Sequence, residues 1–453
     1  MKRPRLRTGP YRRLPAYGRR RIFGIENEYG AVRPDFRKLP DLGFVTNGGR
    51  VYEDSDHIEY ASPECSSALE AVLYEKAGEL ICLPFAKRLY KNNVAVDVDD
   101  VDDVSTFGCH ENYFVQKSPR LLEGIVPFLV TRQIYAGAGR LGKNGEFEIS
   151  QRASCISKVF GHGTQTQEDR GIIDLSHDGK RLSSLSGWHR LHLILGDANM
   201  CEVADFLKLG TTGLVLDLAE DRKLPDFSYS FRAAVEDLNS ISAASSGWAV
   251  NGTYRKTKAT DLQRRYLKAA LRYRGRDPVT DQVLTYWSYA LKNLDANPMK
   301  LFGLVDWVTK KALIDAYAQK YGLQMDDRRL RNIDLQYHDL DREKSLFYAL
   351  QKNGKIRRLL SDEMIQKAAK EPPKNTRAYF RGKMVQTYQD NEKFLDVGLE
   401  ADGWNDISVE IDDYDWAEDF EFGDPFDNYA RKLTEVKRKI RKARKELEDE
   451  NES

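Results

Sequence analysis

Two glutamates stand one residue apart in Arg-Ile-Phe-Gly-Ile-Glu-Asn-Glu-Tyr-Gly, residues 21–30. Ile22, Phe23, Ile25 and Tyr29 favour a strand, and glycines punctuate the run. Residues two apart on a strand share a face, so Glu26 and Glu28 point the same way. Neighbouring carboxylates repel and forfeit hydration unless a cation sits between them. Hard oxygen ligands suit Mg2+, which keeps some waters and is completed by substrate phosphates. A solvated strand face is the plain alternative, and this pair alone does not decide.

Three further clusters bear on it. In 50–60 (RVYEDSDHIEY), alternation puts Arg50, Tyr52 and Asp54 on one face, where a cation, a phenol and a base can converge. Glu59 follows a kink at 55–57 and offers another metal ligand; an acidic hairpin with ordinary surface charges is the alternative. In 108–113, His110 and Asn112 share the face opposite Tyr113, although a lone histidine is more often structural. In 190–197, Leu191, Leu193 and Leu195 line one face, so Arg190 and His192 occupy the other. A sheet with a polar face implies a cleft.

The elements that must position these residues read as a mixture without regular βαβ alternation. Strands are expected at 43–52, 59–61, 107–115, 146–150 and 190–195, and helices at 68–90, 200–218, 231–238, 259–272, 277–294 and 305–321. Asp277 is the expected N-cap of the 277–294 helix, with Pro278 at its first position. The result is an α+β body whose sheet carries polar groups on one face and helices on the other. Near 386 the character changes: 392–426 is short-stranded, aromatic and acidic, and from 428 the chain is helical and charged. Leu433, Val436, Ile440, Ala443 and Leu447 form a stripe by which that helix can dock. The expected organisation is a basic flexible arm at 1–18, a catalytic domain at 19–385, a small C-terminal domain at 386–432 and a charged helical tail at 433–453.

The 453 residues carry 71 Lys+Arg against 70 Asp+Glu, so the body has no basic excess and nucleic acid is not an expected partner. The charge is uneven: 1–21 contains no acidic residue, 96–104 and 410–424 are acidic, and 431–445 is basic. Such blocks are usually solvated tails or loops. No apolar run approaches a membrane span and the N-terminus has no hydrophobic signal segment. Five dispersed cysteines, without CxxC spacing, fit reduced thiols in a cytoplasmic protein. Walker A, GxGxxG and GxSxG patterns are all missing, so phosphate handling falls to arginines and metal.

In order along the chain, GIENEYG, TNGGRVYEDSDHIEY, SPEC, GCHENYF, PFLVTRQ, ISQRA, RLHLILGDANM, KLGTT, IDLQYHD and NTRAYFRG resemble the Pup ligase/depupylase family (PafA and Dop), carboxylate–amine ligase relatives of glutamine synthetase. The resemblance runs from Arg21 to about Leu433. It implies a glutamine-synthetase-like curved antiparallel sheet cradling ATP, backed by helices, with a small C-terminal domain. It also implies an ATP- and Mg2+-dependent ligase that phosphorylates the terminal glutamate side chain of Pup, or a Pup-like modifier, for attack by a target-protein lysine. A proteasome system belongs to the implied partners. By the same resemblance, Glu26, Tyr52 and Glu59 match magnesium positions, Arg50, Ser62 and Trp404 match ATP-contacting positions, and Asp54 matches the catalytic base. Arg190 and His192 are added as phosphate contacts from strand alternation alone.

Three features depart from the family pattern. Ile58 stands where a proline is usual, an acidic DVDDVDD insertion precedes GCHENY, and the arginine-rich arm extends the usual start. The depupylase branch carries a long loop after the first strand, for which 30–46 leaves no room, and DPF at 424–426 resembles the ligase. SPEC, GDANM and TRAYFRG look closer to the depupylase. The expected activity is ligation, with depupylation or deamidation as the alternative and an inactive modifier-binding scaffold as the non-enzymatic one.

Overall fold

Alternation in IFGIENEY builds the central strand β1 (Ile22–Pro34), with Phe23, Ile25 and Tyr29 buried on one side and Glu26 and Glu28 on the other. The computed structural model describes residues 6, 9–11, 14, 18–55, 57–97, 100–116, 121–163, 168–175, 187–226, 228–244, 246–391, 396–398, 404, 406–411 and 414–451. Most of the expected arm lies outside them, as does Asp56. Within the arm, Tyr11 is buried and bridges to Leu360.

The strands in chain order are β1, β2 (Arg50–Asp54), β3 (His57–Ala61), β4 (Ala86–Lys91), β5 (Asn93–Asp97), β6 (Asp100–Thr106), β7 (Cys109–Gln116), β8 (Arg140–Leu141), β9 (Phe147–Glu148), β10 (Lys158–Gly161), β11 (Gly171–Asp174) and β12 (Trp188–Gly196). One eight-stranded sheet runs β10-β11-β12-β7-β1-β3-β2, with β4 pairing the far half of β1. Its pairs are antiparallel except β10–β11, which is parallel. Beneath it lie α1 (Ala68–Cys82), α2 (Leu121–Ala136) and α3 (Glu202–Glu220), and Phe23, Ile25 and Tyr113 pack with Leu69, Val72, Phe128 and Leu207 in one core. Further helices complete the body: α4 (Ala234–Ala243), α5 (Ala259–Ala270), α6 (Pro278–Ala296), α7 (Asp306–Tyr321), α8 (Arg328–Tyr337), α9 (Leu346–Lys352) and α10 (Asp362–Ala368). Asp277 caps α6 by accepting from the Thr280 N–H at 2.8 Å.

Several expectations need correction. The helix expected at 68–90 ends at Cys82, because Pro84 cannot continue it, and 86–91 becomes β4. The strand expected at 43–52 is confined to Arg50–Asp54; Gly43 and Gly48, both at positive φ, turn the preceding loop. Of 146–150 only Phe147–Glu148 pairs, with Arg140–Leu141. The described residues of the acidic run at 96–104 belong to the paired strands β5 and β6 rather than to a loop. Helix α2 was not anticipated, since Pro127 inside PFLVTRQ disguises it. Its Arg132 reaches the sheet, where Glu111 accepts from it and from Tyr113.

At the C-terminal end, β15 (Asp396–Gly398), β16 (Asp406–Ile411) and β17 (Tyr414–Glu421) form a small sheet between α11 (Ala378–Gln389) and α12 (Ala430–Asn451), after the two-residue ladder β13–β14 (Ala249–Val250 and Thr257–Lys258) of the body. Its core joins Phe380 and Met384 of α11 to Val409, Phe420, Leu433, Val436 and Ile440. Among the described residues no helix is long and apolar enough to cross a membrane.

Candidate active site

Register brings the carboxylates together. Glu28 of β1 pairs with Glu59 of β3, and Glu59 pairs with Tyr52 of β2, so three acidic or phenolic side chains run in a row across three strands. Glu26, two residues back on β1, lies opposite His110 of β7, and His192 of β12 is opposite Asn112. The strand period of two then puts Arg50, Tyr52, Asp54, Glu59, Glu26, Glu28, His110, Arg190 and His192 on one face.

Arg190 and two histidines surround Glu26. Arg190 donates to its Oε1 at 3.1 Å, His192 Nε2 lies 3.3 Å from Oε2 and His110 Nδ1 lies 3.6 Å from the same oxygen. Burial works against ionisation, yet Arg190 and the two histidines outweigh it and hold Glu26 well below the usual carboxylate range. Glu28, also buried, is pulled down to about 2 by His110, Arg152 and His57 and by the Gly108 N–H at 2.8 Å. Glu59 goes the other way. Burial and the charges of Glu26 and Glu28 push it well above the ordinary value, with Asp54 adding to the effect. Burial and Glu59 raise the Tyr52 phenol likewise, so it stays protonated and donates to Glu59 Oε1 at 2.5 Å.

Two groups offer three ligand atoms each within 4.8 Å of one another: Glu26, His110 and His192, and Glu28, His57 and Glu59. The second passes a simple test of fit. His57 Nδ1 lies 3.3 Å from the Ser55 carbonyl, which can only accept, so Nδ1 carries a proton and Nε2 is the nitrogen turned toward the carboxylates. That Nε2 is buried without a hydrogen-bond partner, beside a carboxylate whose charge is opposed by its acidic neighbours. A divalent cation answers both conditions.

Alongside the acidic row is a cavity lined by Glu26, Ser62, Asn112, Phe114, Arg190 and Trp404. Its floor is set by backbone: Ser62 Oγ accepts from the Ile25 N–H at 3.0 Å while the Ser62 N–H donates to the Ile25 carbonyl. Arg190, steered by Asn112 and Glu26, is cross-strand to Phe114, so a cation and an aromatic ring line the cavity side by side. Phe114 is in turn stacked on Trp188 at 5.1 Å between centroids. Arg50 lies over the Tyr52 ring at 4.7 Å and near Phe44 at 5.6 Å.

Asp54 ends β2 at the hairpin turn, where Ser55 takes a positive φ and its hydroxyl donates to Asp54 Oδ1 at 3.0 Å. Ile58, the departure from proline, is fully buried and pairs with both Tyr29 and Glu53, so the turn is anchored on both sides. Seven of the nine residues expected from the sequence therefore share one face, and the other two, Ser62 and Trp404, line the cavity beside it. Sequence reasoning set Glu28 beside Glu26 at a cation and took His110 as more often structural, but it gave His57 and Arg152 no role, although DHIEY and ISQRA held them. Asp174 was missed altogether; it holds His192 Nδ1 at 3.0 Å, and nothing in GIID marks it.

Known proteins resemble this arrangement. A family profile described as Pup-ligase protein matches residues 36–405. A Pup–protein ligase of a Nocardioides species is 34% identical over 422 residues, covering 83% of this chain and 92% of its own. A Pup deamidase/depupylase of Mycobacterium tuberculosis is 33% identical over 371 residues, covering 76% and 72%. The crystal structure of Pup with its ligase PafA superposes with a TM-score of 0.78 at 30% identity, covering 92% of this chain and 91% of that one. The Pup ligase PafA in complex with ADP superposes at 0.74 and 29% identity, covering 87% and 88%.

Proposed function

Because the chain belongs to the Pup ligase/depupylase family, we propose that it is an ATP-dependent ligase joining the side-chain carboxylate of the C-terminal glutamate of Pup, or a Pup-like modifier, to a lysine of a target protein. The observation that carries this reading is one sheet face that sets Glu26, Glu59 and Asp54 beside a half-aromatic cavity bounded by Arg190 and Trp404.

The chemistry has two steps. A modifier carboxylate oxygen attacks the γ-phosphorus of ATP, ADP leaves, and a γ-glutamyl phosphate results. The lysine amine then attacks the acyl carbon, the C–O bond to phosphate breaks with its electron pair, and the amine proton passes to Asp54. Activation is required because a free carboxylate resists amines, whereas phosphate is a good leaving group. Arg190, Arg50 and His192 supply cationic and hydrogen-bonding contacts for phosphate, and Ser62 and Trp404 contact the nucleotide. Glu26, Tyr52 and Glu59 would hold Mg2+, which would neutralise phosphate charge there. Tyr52, which keeps its proton, would serve there as a neutral oxygen. Asp54 carries no arginine or lysine hydrogen bond among the described contacts, which suits a group that must accept a proton. A cytoplasmic location fits the dispersed free cysteines.

Depupylation remains the second reading, favoured by the SPEC and TRAYFRG segments. Ligation is supported by the short 35–49 connection between β1 and β2 and by the fuller coverage of the ligase relative, 92% against 72%. The deciding experiment offers the purified protein ATP with a modifier peptide ending in Glu, ending in Gln, or already linked to lysine. New isopeptide from the Glu form establishes ligation; ammonia release or conjugate cleavage establishes the depupylase reading instead.

A further inference from the structure

Arg381 of α11 is fully buried, and its guanidinium touches three separate parts of the chain. Its Nε and Nη2 donate to the Gly48 carbonyl at 3.0 and 2.8 Å, in the loop that leads into β2. It pairs with Glu64, whose other oxygen accepts from Arg377 at 2.6 Å. Its Nη1 donates to the Trp404 carbonyl at 3.3 Å, and the guanidinium carbon stands 4.5 Å from the Trp404 ring centroid and 5.2 Å from that of Phe44. Phe44 in turn meets Trp404 edge-on at 5.3 Å.

Backbone approach makes this junction possible. A Cβ at Gly48, where φ is +82°, would meet the Ala378 carbonyl at 2.6 Å, and one at Gly382 would meet the Thr46 carbonyl at 2.5 Å. Helix α11 can therefore lie directly on the TNGG loop only because both contacts are glycines. Since α11 also supplies Phe380 and Met384 to the core of the small C-terminal unit, Arg381 sits where that unit meets the main sheet. A buried cation is costly unless fully bonded. Here its planar fork is used on every side, two carbonyls, a carboxylate and two aromatic rings, which a lysine cannot reproduce.

We infer that Arg381 is a positioning residue of the nucleotide site: it fixes the Trp404 indole against the cavity wall by binding its carbonyl and its ring while anchored to Gly48 and Glu64. The ligand class is a nucleobase, which the held indole contacts at the cavity. This rests on the nucleotide reading given above, and it adds that the small C-terminal unit takes part in nucleotide affinity through a single guanidinium.

The test uses the full chain with Mg2+ and ATP, measuring ATP binding by calorimetry and KM and kcat by steady-state conjugation. Arg381→Lys is expected to raise both Kd and KM for ATP about 3- to 30-fold, with kcat little changed, the range set by loss of a cation–aromatic contact. Phe44→Leu removes one ring of the cluster without touching Glu64, and is expected to give a smaller change of the same kind; it carries the test should Arg381→Lys fold poorly. If Arg381 acts through Trp404, adding Arg381→Lys to Trp404→Phe costs no further affinity. Unaltered ATP affinity in both folded variants, or full additivity with Trp404→Phe, overturns the inference. Failure of the unsubstituted protein to bind ATP overturns the functional reading instead, so the two failures are distinguishable.

Discussion

Tyr52 and Glu59 face each other across the β2–β3 hairpin in direct register, and the phenol donates to the carboxylate at 2.5 Å. The bond ties two expected metal-site residues into one unit and supplies Glu59 with a donor while its acidic neighbours oppose its charge. Tyr52→Phe keeps the ring that packs against Arg50 but removes the donor. Nucleotide binding measured across a Mg2+ series should then need about tenfold more metal, the scale typical of losing a group that orients a ligand. Thermal stability should fall little. An unchanged Mg2+ requirement would remove Tyr52 from the metal site.

Asp54 sits at the mouth of the same hairpin, and its backbone is secured by pairs that do not involve its carboxylate. Asp54→Asn should therefore leave folding and ATP affinity within about twofold of the parent. Conjugation to lysine should drop at least a hundredfold, the usual scale for removing a general base. Parallel assays of ATP binding and isopeptide formation check this. Retained conjugation would refute its role as base.

Asp174 is buried at the β11–β12 pair and holds His192 Nδ1 at 3.0 Å. This fixes the ring so that Nε2 faces Glu26. Asp174→Asn keeps the size but lets the amide donate to Nδ1, which reverses the proton preference of the ring. Mg2+-dependent ATP binding should weaken about 10- to 100-fold, and Asp174→Glu should restore part of it. Equal weakening in Mg2+-free nucleotide binding would point to a general structural defect.

The polar face of the sheet was legible because strand period is local: Glu26, Arg50, Tyr52, Asp54, Arg190 and His192 follow from alternation within their own segments, and Glu59 from the kink at 55–57. What joins them was not, since Glu28 opposite Glu59 is a matter of register between strands 31 residues apart. The boundary errors have similar causes. Charged KRLYK reads as continued helix until β4 is seen to find β1 as a partner, and Pro127 hides a helix that tertiary packing on α3 and α5 sustains. Asp174 and Arg381 act through partners far along the chain, so only the folded structure exposes them.

Glu64 provides a pH-dependent check on how the C-terminal unit is tied to the sheet. Although buried, it is held at about 2, against an ordinary 4.5, by Arg381 and Arg377. A carboxylate depressed in the folded state stabilises above its unfolded pKa and loses that contribution as pH falls through the folded value. The depression corresponds to roughly 3 kcal/mol as an upper figure. Glu64→Gln abolishes the charge at every pH. Urea unfolding of parent and variant should differ most at pH 6–7, and the gap should narrow steadily below about pH 4.5 as the parent approaches the protonated state. Above pH 5 it should be flat, because Glu64 is then ionised in both folded and unfolded chains. A gap that persists undiminished to pH 3 would mean that shape, rather than the Glu64 charge, secures Arg381 and Arg377.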